Sequence, residues 1–133
     1  MSIALVTAAV SPAPTFERVA TTERLDVRLA EAKAAGKPVM LDFYADWCVS
    51  CKEMERFTFA DPQVAARMKQ IVLLKADVTA NSDADAALLK RFGLFGPPGI
   101  IFFDARGREQ TDLRVVGFQP AETFLPTLER VLR

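Results

Sequence analysis

The chain has 133 residues, of which 50% are hydrophobic and 26% are charged, so its length and composition are those of one globular domain. Its 17 basic residues balance its 17 acidic ones, which argues against a nucleic-acid binder and against a polybasic membrane-surface protein. It has no histidine, which excludes histidine metal sites, Ser-His-Asp triads and Cys-His dyads, and its two cysteines are too few for a disulfide scaffold.

The N-terminal segment is apolar and then rich in proline. The apolar run over residues 3–10 lacks a basic flank and is shorter than the roughly 18 residues that a membrane-spanning helix needs. Residues 11–14 include two prolines, which favour an extended linker. We therefore expect residues 1–14 to form a flexible segment and residues 15–133 to form one domain.

The rest of the chain alternates between strand and helix patterns. We predict strands over residues 16–19, 39–45, 71–77, 100–103 and 113–117, and helices that begin near residues 21, 48, 62, 82 and 120. The near-continuous apolar run 39–45 is typical of a central strand buried on both faces. Strands that alternate with helices and end in a hairpin indicate an α/β fold with a mixed sheet. Pro126 predicts a kink or a break in the last helix.

Both cysteines lie in one short segment at a predicted strand-to-helix junction. Cys48 and Cys51 have C-x-x-C spacing, and positions three apart share a helix face, so the two sulfurs can form a disulfide. Cys48 would lie at the helix N-terminus, where free N–H groups stabilise a thiolate, and Cys51 would be covered. The segment predicts a redox pair with Cys48 as nucleophile and Cys51 as resolving thiol.

Two other interpretations of the cysteine pair stay open. A zinc ion usually takes four ligands, and the chain has neither a second cysteine pair nor a histidine, which leaves an adventitious soft-metal site. A purely structural disulfide across two residues would close too small a loop to stabilise the fold much.

The sequence around the pair resembles thioredoxin, in which Trp-Cys-x-x-Cys follows a hydrophobic strand. The longer run 37–55 is similar to a narrower family, the C-terminal periplasmic domains of the bacterial transmembrane electron carrier DsbD. Further matches lie at residues 58–59, 61–64, 77–81 and 117–118. The resemblance covers about residues 16–132 and implies a thioredoxin fold, with a central mixed β-sheet flanked by helices on both faces.

The resemblance also implies an activity. A domain of this family is a protein-disulfide reductase that accepts reducing equivalents from a membrane-embedded electron-transfer domain and passes them to an N-terminal periplasmic domain. The implied location is the periplasm, as a domain of an inner-membrane protein, and the implied partners are proteins held by mixed disulfides. We expect a monomer with no cofactor beyond the Cys48–Cys51 disulfide, no bound metal, no nucleic acid and no membrane insertion of this chain.

Two acidic residues are predicted to support the cysteines. Asp42 lies in the apolar strand, where a carboxylate is costly unless it is used or paired, and desolvation should raise its pKa. The resemblance implies that Asp42 relays the proton of Cys51; the alternative is an ion pair with Lys75 on the neighbouring strand. The resemblance places Glu55 beside the buried acid, where the two carboxylates would disfavour a Cys48 thiolate. The alternative for Glu55 is a solvated helix residue.

Three further residues are predicted to contact protein substrates. Pro98 aligns with the cis-proline that faces the cysteine pair in thioredoxins, and the residue before it normally offers a backbone N–H and a carbonyl to an extended partner. Here that residue is Pro97, which has no N–H, so this chain departs from the usual pattern. Trp47 would flank the reactive sulfur as a contact surface; the alternative is simple packing.

Three functions therefore remain open from the sequence. The first is the DsbD-like relay, the second is a free-standing thioredoxin-like reductase, and the third is a metal-binding or metallochaperone module that uses the two thiolates. The uncharged pair Val49-Ser50 lacks the histidine that makes such disulfides strongly oxidising, so we expect a potential of about −200 to −270 mV.

Overall fold

A computed structural model describes residues 14–133, and its sheet has five strands. They are β1 (Glu17–Arg18), β2 (Val39–Tyr44), β3 (Val72–Asp77), β4 (Gly99–Phe103) and β5 (Val115–Val116). The strand order is β1-β3-β2-β4-β5, in which β1, β3 and β2 are parallel and β4 runs antiparallel to β2 and β5. The predicted mixed sheet is confirmed. The predicted flexible segment lies outside the described residues except for Pro14.

The helices begin within one residue of the predicted positions. They are α1 (Thr22–Ala34), α2 (Val49–Glu53), α3 (Pro62–Met68), α4 (Asp83–Arg91) and α5 (Ala121–Val131). A π-helical turn, Met54–Thr58, follows α2 directly, and a short 3₁₀ turn, Thr111–Leu113, precedes β5. Thr21, Asp61 and Ser82 cap their helices by accepting backbone N–H bonds, as residues of these types do.

Two apolar clusters cover the two faces of the sheet. Side chains alternate along β4, so that Ile101 and Phe103 face one cluster and Ile100 and Phe102 face the other. The first cluster includes buried side chains of α1 and α4, and the second includes those of α3 and α5. Helices therefore pack on both faces, and all six residues of β2 are buried, as the apolar run predicted.

The last helix differs from the prediction. Pro126 lies inside α5, and the helix continues through it from Ala121 to Val131, so the predicted break is wrong. Proline removes one N–H donor from the second turn, but Phe124, Leu128 and Val131 still bury the apolar face of the helix against the sheet. That burial holds the helix together across the missing bond.

The sheet brings the ends of three strands together near the cysteines. Tyr44 ends β2 four residues before Cys48, and its carbonyl accepts the N–H of Val78, which follows β3, at 2.8 Å. On the other side, Gly99 at the start of β4 pairs with Phe43. No helix in the described part of the chain is both long and apolar enough to cross a membrane.

Candidate active site

The two cysteines form a disulfide at the start of α2. Cys48 is the N-cap residue of that helix, and its Cα lies 5.3 Å from the Cα of Cys51. The backbone N–H of Cys51 donates to Sγ of Cys48 at 3.2 Å. A helix N–H directed at this sulfur would stabilise negative charge on it once the disulfide is reduced. The predicted place of Cys48 at the helix N-terminus is therefore confirmed.

Both cysteines are largely covered. Cys48 is 6% exposed and Cys51 is 4% exposed, so residue exposure alone does not distinguish an attacking from a resolving sulfur. Sγ of Cys51 lies 3.8 Å from the carbonyl oxygen of Phe43 on β2. The sulfur of Cys51 has no S–H group in the disulfide, so this is only a van der Waals contact. In the reduced protein the Cys51 thiol could donate a weak hydrogen bond to that carbonyl.

Asp42, the neighbour of Phe43 in β2, is buried and has a raised pKa. Only 6% of its surface is exposed. Burial raises the pKa of Asp42 from 3.8 to about 7; Lys75 opposes this change and Glu55 adds to it. Such a carboxyl group is present in both protonation states near neutral pH, so it can accept or supply a proton there.

The lysine expected beside Asp42 pairs with a different acid. Lys75 is the register partner of Asp42 on β3, yet its Nζ lies 2.9 Å from Oε2 of Glu55. The same Nζ lies over the rings of Tyr44 and Phe16, 4.3 and 5.3 Å from their centroids. Glu55 is therefore an ion-paired residue rather than a solvated one.

Asp42, Glu55 and Lys75 thus form one electrostatic group. Glu55 is brought there by the π-helical turn, which the apolar pattern of the sequence did not reveal. Strand register places Lys75 opposite Asp42. Its ion pair with Glu55 depends instead on the rotamer of the long lysine side chain. The two predicted acids interact, since Glu55 raises the pKa of Asp42. Lys75 pairs with Glu55 and lowers the pKa of Asp42.

Trp47 precedes Cys48 and is the largest exposed side chain of the connecting loop, with 60% of its surface exposed. Its indole N–H donates to the backbone carbonyl of Thr79 at 3.2 Å, and the backbone N–H of Asp46 donates to the hydroxyl of Thr79 at 2.8 Å. Sequence reasoning missed Thr79, because the contact joins residues more than 30 positions apart. The run 77–81, one of the segments that resembles the family, was the available signal.

The two prolines immediately precede β4, whose first residue pairs with Phe43. The Pro97–Pro98 peptide bond is cis, and Gly99, the next residue, pairs with Phe43, whose carbonyl lies against Cys51. Pro97 has a backbone carbonyl but no N–H to offer a partner. The apolar side chains Val49 and Phe95 are exposed on the same two segments, α2 and the loop before β4.

A metal site would need more ligands than this arrangement supplies. Within residues 14–133 no group of three or more cysteine, aspartate and glutamate side chains is placed to hold a metal ion. The arrangement instead joins a disulfide, a helix N–H directed at one sulfur and a buried carboxyl group with a pKa of about 7. These are the elements of thiol–disulfide exchange with proton transfer.

Comparisons with known proteins give the same chemistry. A family described as thioredoxin-like domain matches residues 25–132. Thiol:disulfide interchange protein DsbD of Ralstonia nicotianae is 61% identical over 117 residues, which is 88% of this chain and 19% of that protein. The protein of the same name from Escherichia coli K12 is 54% identical over 109 residues, again 19% of its length. The chain thus spans about a fifth of the length of these relatives.

Solved structures define which part of those relatives corresponds to this chain. The DsbD C-terminal domain of Neisseria meningitidis in its oxidised form is 38% identical, with a TM-score of 0.72, over 88% of this chain and 98% of that one. Its reduced form is 40% identical, with a TM-score of 0.71, over 84% and 96%. A thioredoxin from Thermus thermophilus, at 24% identity and a TM-score of 0.70, shows the shared fold.

Proposed function

The chain belongs to the thioredoxin-like family as a thiol–disulfide oxidoreductase domain of the DsbD C-terminal kind, and we propose that it relays electrons between two protein partners. The donor would be a membrane-embedded electron-transfer domain, and the acceptor would be an N-terminal domain of the same system in the periplasm. The observation that carries the proposal is the Cys48–Cys51 disulfide at the start of α2, in a domain with a buried carboxyl group on the strand that contacts Cys51.

The exchange balances in electrons and protons. A thiolate of the donor attacks Sγ of Cys48, the Cys48–Cys51 bond breaks, and Cys51 leaves as a thiolate that takes up a proton. The second donor thiolate then attacks the donor sulfur of the mixed disulfide and releases Cys48. In the forward transfer the Cys48 thiolate attacks the acceptor disulfide and releases one acceptor sulfur as a thiolate. Cys51 then loses its proton and attacks Sγ of Cys48, which re-forms the Cys48–Cys51 disulfide and expels the second acceptor thiolate, so that two electrons have moved.

Asp42 is suited to handle the proton of Cys51. The sulfur of Cys51 contacts the carbonyl of Phe43, the residue next to Asp42, and Asp42 has a pKa of about 7 because burial raises it most. Its carboxylate form could take the proton when Cys51 attacks, and its acid form could return it when Cys51 leaves. Glu55 raises the pKa of Asp42 and Lys75 lowers it, so this pair sets how ready the carboxyl is to exchange a proton.

Trp47, Pro97 and Pro98 form the substrate-binding part of the proposal. The exposed indole lies next to the reactive pair in the chain. The cis Pro97–Pro98 bond precedes Gly99, which pairs with Phe43, and the carbonyl of Phe43 contacts the sulfur of Cys51. An extended segment of the partner would lie along this surface and present its disulfide to Cys48. A relay must release each partner after exchange, which suits a contact with a single backbone acceptor at Pro97.

Serine variants test the assignment of the two cysteines. Cys48→Ser should abolish exchange with the oxidised N-terminal domain, because it removes the attacking sulfur. Cys51→Ser should leave a stable mixed disulfide through Cys48, because nothing resolves it. Denaturing, non-reducing electrophoresis and mass spectrometry detect the mixed species. A mixed disulfide that forms in Cys48→Ser and not in Cys51→Ser would reverse the assignment.

The same preparations separate the relay from a metal-binding module. Reduced protein with two free thiols and no bound metal, measured by thiol titration and elemental analysis, supports the relay. One tightly bound metal ion per chain, lost together with the thiolates in the serine variants, would instead favour the metal-binding function.

A further inference from the structure

A threonine outside the redox pair holds the loop that carries it. Thr79 follows β3, while Asp46 and Trp47 belong to the loop between β2 and α2. The hydroxyl of Thr79 accepts the backbone N–H of Asp46 at 2.8 Å, and its carbonyl accepts the indole N–H of Trp47 at 3.2 Å. One residue thus holds two consecutive residues of the loop, immediately before Cys48.

The carboxylate of Asp77 orients the hydroxyl of Thr79 so that it accepts the N–H of Asp46. The hydroxyl of Thr79 donates to Oδ1 of Asp77 at 2.5 Å, and the backbone N–H of Thr79 donates to the same oxygen at 3.0 Å. Partial burial acts to raise the pKa of Asp77, but the bonds from Thr79 and the nearby cations outweigh it and lower the pKa. Because the single hydroxyl hydrogen is used on Asp77, the oxygen lone pairs are left for the N–H of Asp46.

The bond to the indole is not needed to satisfy a buried donor. Trp47 is 60% exposed, so water could accept its N–H equally well. What the bond to Thr79 changes is the freedom of the side chain, since an exposed aromatic ring otherwise samples several rotamers. A contact residue that is already held in its binding orientation loses less entropy when a partner docks.

We propose that Thr79 is a positioning residue that presets Trp47 beside Cys48 for docking of the protein partner in thiol–disulfide exchange. Thr79 acts through the loop and touches neither the sulfurs nor the substrate. Asp77 supports it by orienting the hydroxyl. The effect on partner docking rests on the proposed function, whereas the restraint of Trp47 by Thr79 is a property of the domain alone.

The test compares three substitutions in the full chain. Thr79→Val removes the hydroxyl that accepts the N–H of Asp46 and keeps both the branched shape and the backbone carbonyl that accepts the indole N–H. It therefore tests whether the hydroxyl, by holding Asp46, restrains the loop that carries Trp47. Thr79→Ser keeps the hydroxyl. Thr123→Val makes the same chemical change at an exposed position of α5. Trp47 is the single tryptophan of the chain, so time-resolved fluorescence anisotropy excited at 295 nm reports on this side chain alone. We expect faster local depolarisation in Thr79→Val and wild-type behaviour in the other two.

Exchange kinetics supply the second measurement. Each reduced variant is mixed with a disulfide-containing protein, insulin, and with a small disulfide, oxidised glutathione, which is too small to use the docking surface. Loss of one hydrogen bond of ordinary strength should slow Thr79→Val about two- to tenfold towards insulin. The rate towards glutathione disulfide should stay within about twofold, and Thr79→Ser should restore the insulin rate.

Three outcomes would overturn the inference. The first is wild-type anisotropy in Thr79→Val, the second is an unchanged insulin rate, and the third is equal slowing towards both disulfides, which would place the effect on Cys48 itself. If the wild-type chain exchanged with neither disulfide, the proposed function would fail instead, and the anisotropy would still decide whether Thr79 holds Trp47. Urea unfolding of each variant verifies that the compared proteins are folded.

Discussion

Asp42, which we propose handles the proton of Cys51, is a carboxyl group whose burial has a cost in stability. It lies in the central strand, where all six residues are buried, and burial raises its pKa to about 7. Between pH 3.8 and about 7, Asp42 is therefore mostly protonated in the folded protein and mostly ionised in the unfolded chain. An apolar residue would stabilise the strand better, which is consistent with a role for Asp42 in proton transfer.

The pH dependence of stability follows from that pKa. The folded protein holds the proton of Asp42 up to pH about 7, whereas the unfolded chain loses it near 3.8, so the free energy of unfolding falls as pH rises between these values. The contribution is on the order of 4 kcal/mol. We expect Asp42→Asn to remove this decline and to be the more stable protein at pH 8. Guanidinium unfolding of the oxidised domain at pH 5 and pH 8 measures the difference, and parallel declines in both proteins would contradict the assignment.

Breaking the ion pair of Glu55 and Lys75 should lower the pKa of Asp42. Glu55→Gln removes a negative charge that raises the pKa of Asp42, and it frees the ammonium group of Lys75 to interact with Asp42. Both effects lower the pKa of Asp42, which ¹³C NMR of its carboxyl carbon would follow. The control is Glu53→Gln, two residues before Glu55, which removes the same charge from the neighbouring helix. An unchanged titration in Glu55→Gln would mean that the pair acts independently of Asp42.

At the scale of elements, the helix after the cysteines changes its hydrogen-bond pattern within two turns. The α-helical part ends at Glu53 and a π-helical turn continues to Thr58, which directs Glu55 towards Lys75. The hydroxyl of Thr58, which is fully buried, donates to the carbonyl of Gln119 at 2.5 Å. The N–H of Gln119 in turn donates to Sδ of Met54 at 3.3 Å. The turn is thereby joined to the segment that leads into α5.

This junction can be tested by removing one hydroxyl. Thr58→Val keeps the shape of the side chain and leaves the part-buried carbonyl of Gln119 without its donor, which should destabilise the domain by about 1–3 kcal/mol. The measurement is urea unfolding, with Thr123→Val as the matched exposed control. A loss equal to that of the control would show that the bond to Gln119 contributes nothing to stability.

The elements were more predictable than the contacts between side chains. Apolar runs predicted β2 and β4, and three helix starts were predicted near residues 21, 62 and 82, because capping residues and apolar periods are local signals. The π-helical turn was not predictable, since a shift from i→i+4 to i→i+5 bonding leaves the apolar pattern almost unchanged. The break at Pro126 was wrongly predicted, because burial of the helix face outweighed the lost bond.

The site divides in the same way. The C-x-x-C pair could be placed at a helix N-terminus from spacing and flanking pattern alone. The role of Lys75 could not, because register brings it opposite Asp42 while its flexible side chain reaches Glu55 instead. The contact of Thr79 with Trp47 joins distant parts of the chain, and only the fold brings them together.

At the scale of the whole molecule, the docking surface that we propose is built from three separate segments. They are the loop with Trp47, the start of α2 and the loop with the cis Pro97–Pro98 bond, which the order of β3, β2 and β4 brings side by side. Trp47, Val49 and Phe95 are all exposed large apolar side chains on these segments. The central position of β2 is what allows the neighbouring strands to contribute from both sides.

The missing donor at Pro97 gives a prediction for docking strength. In a background in which both cysteines are serine, Pro97→Leu introduces a backbone N–H, while Pro98 remains proline. One added hydrogen bond to an extended partner should tighten binding of the N-terminal domain by up to about tenfold. Isothermal titration calorimetry measures it, with Pro126→Leu on α5 as a control that should not change the affinity. Unchanged or weaker binding in Pro97→Leu would mean that the partner does not pair with this backbone position.

The outer borders of the sheet have a consequence for association between molecules. The edge strands β1 and β5 contain two residues each, and β1 consists of the exposed charged residues Glu17 and Arg18. Beyond β5, the free side of β4 is covered by the chain itself, since the N–H of Gln110 donates to the carbonyl of Phe102. Fibril growth needs a long, unpaired strand as its template, and these borders offer none within residues 14–133. The domain can therefore present backbone to a partner beside its disulfide without promoting aggregation through its sheet edges.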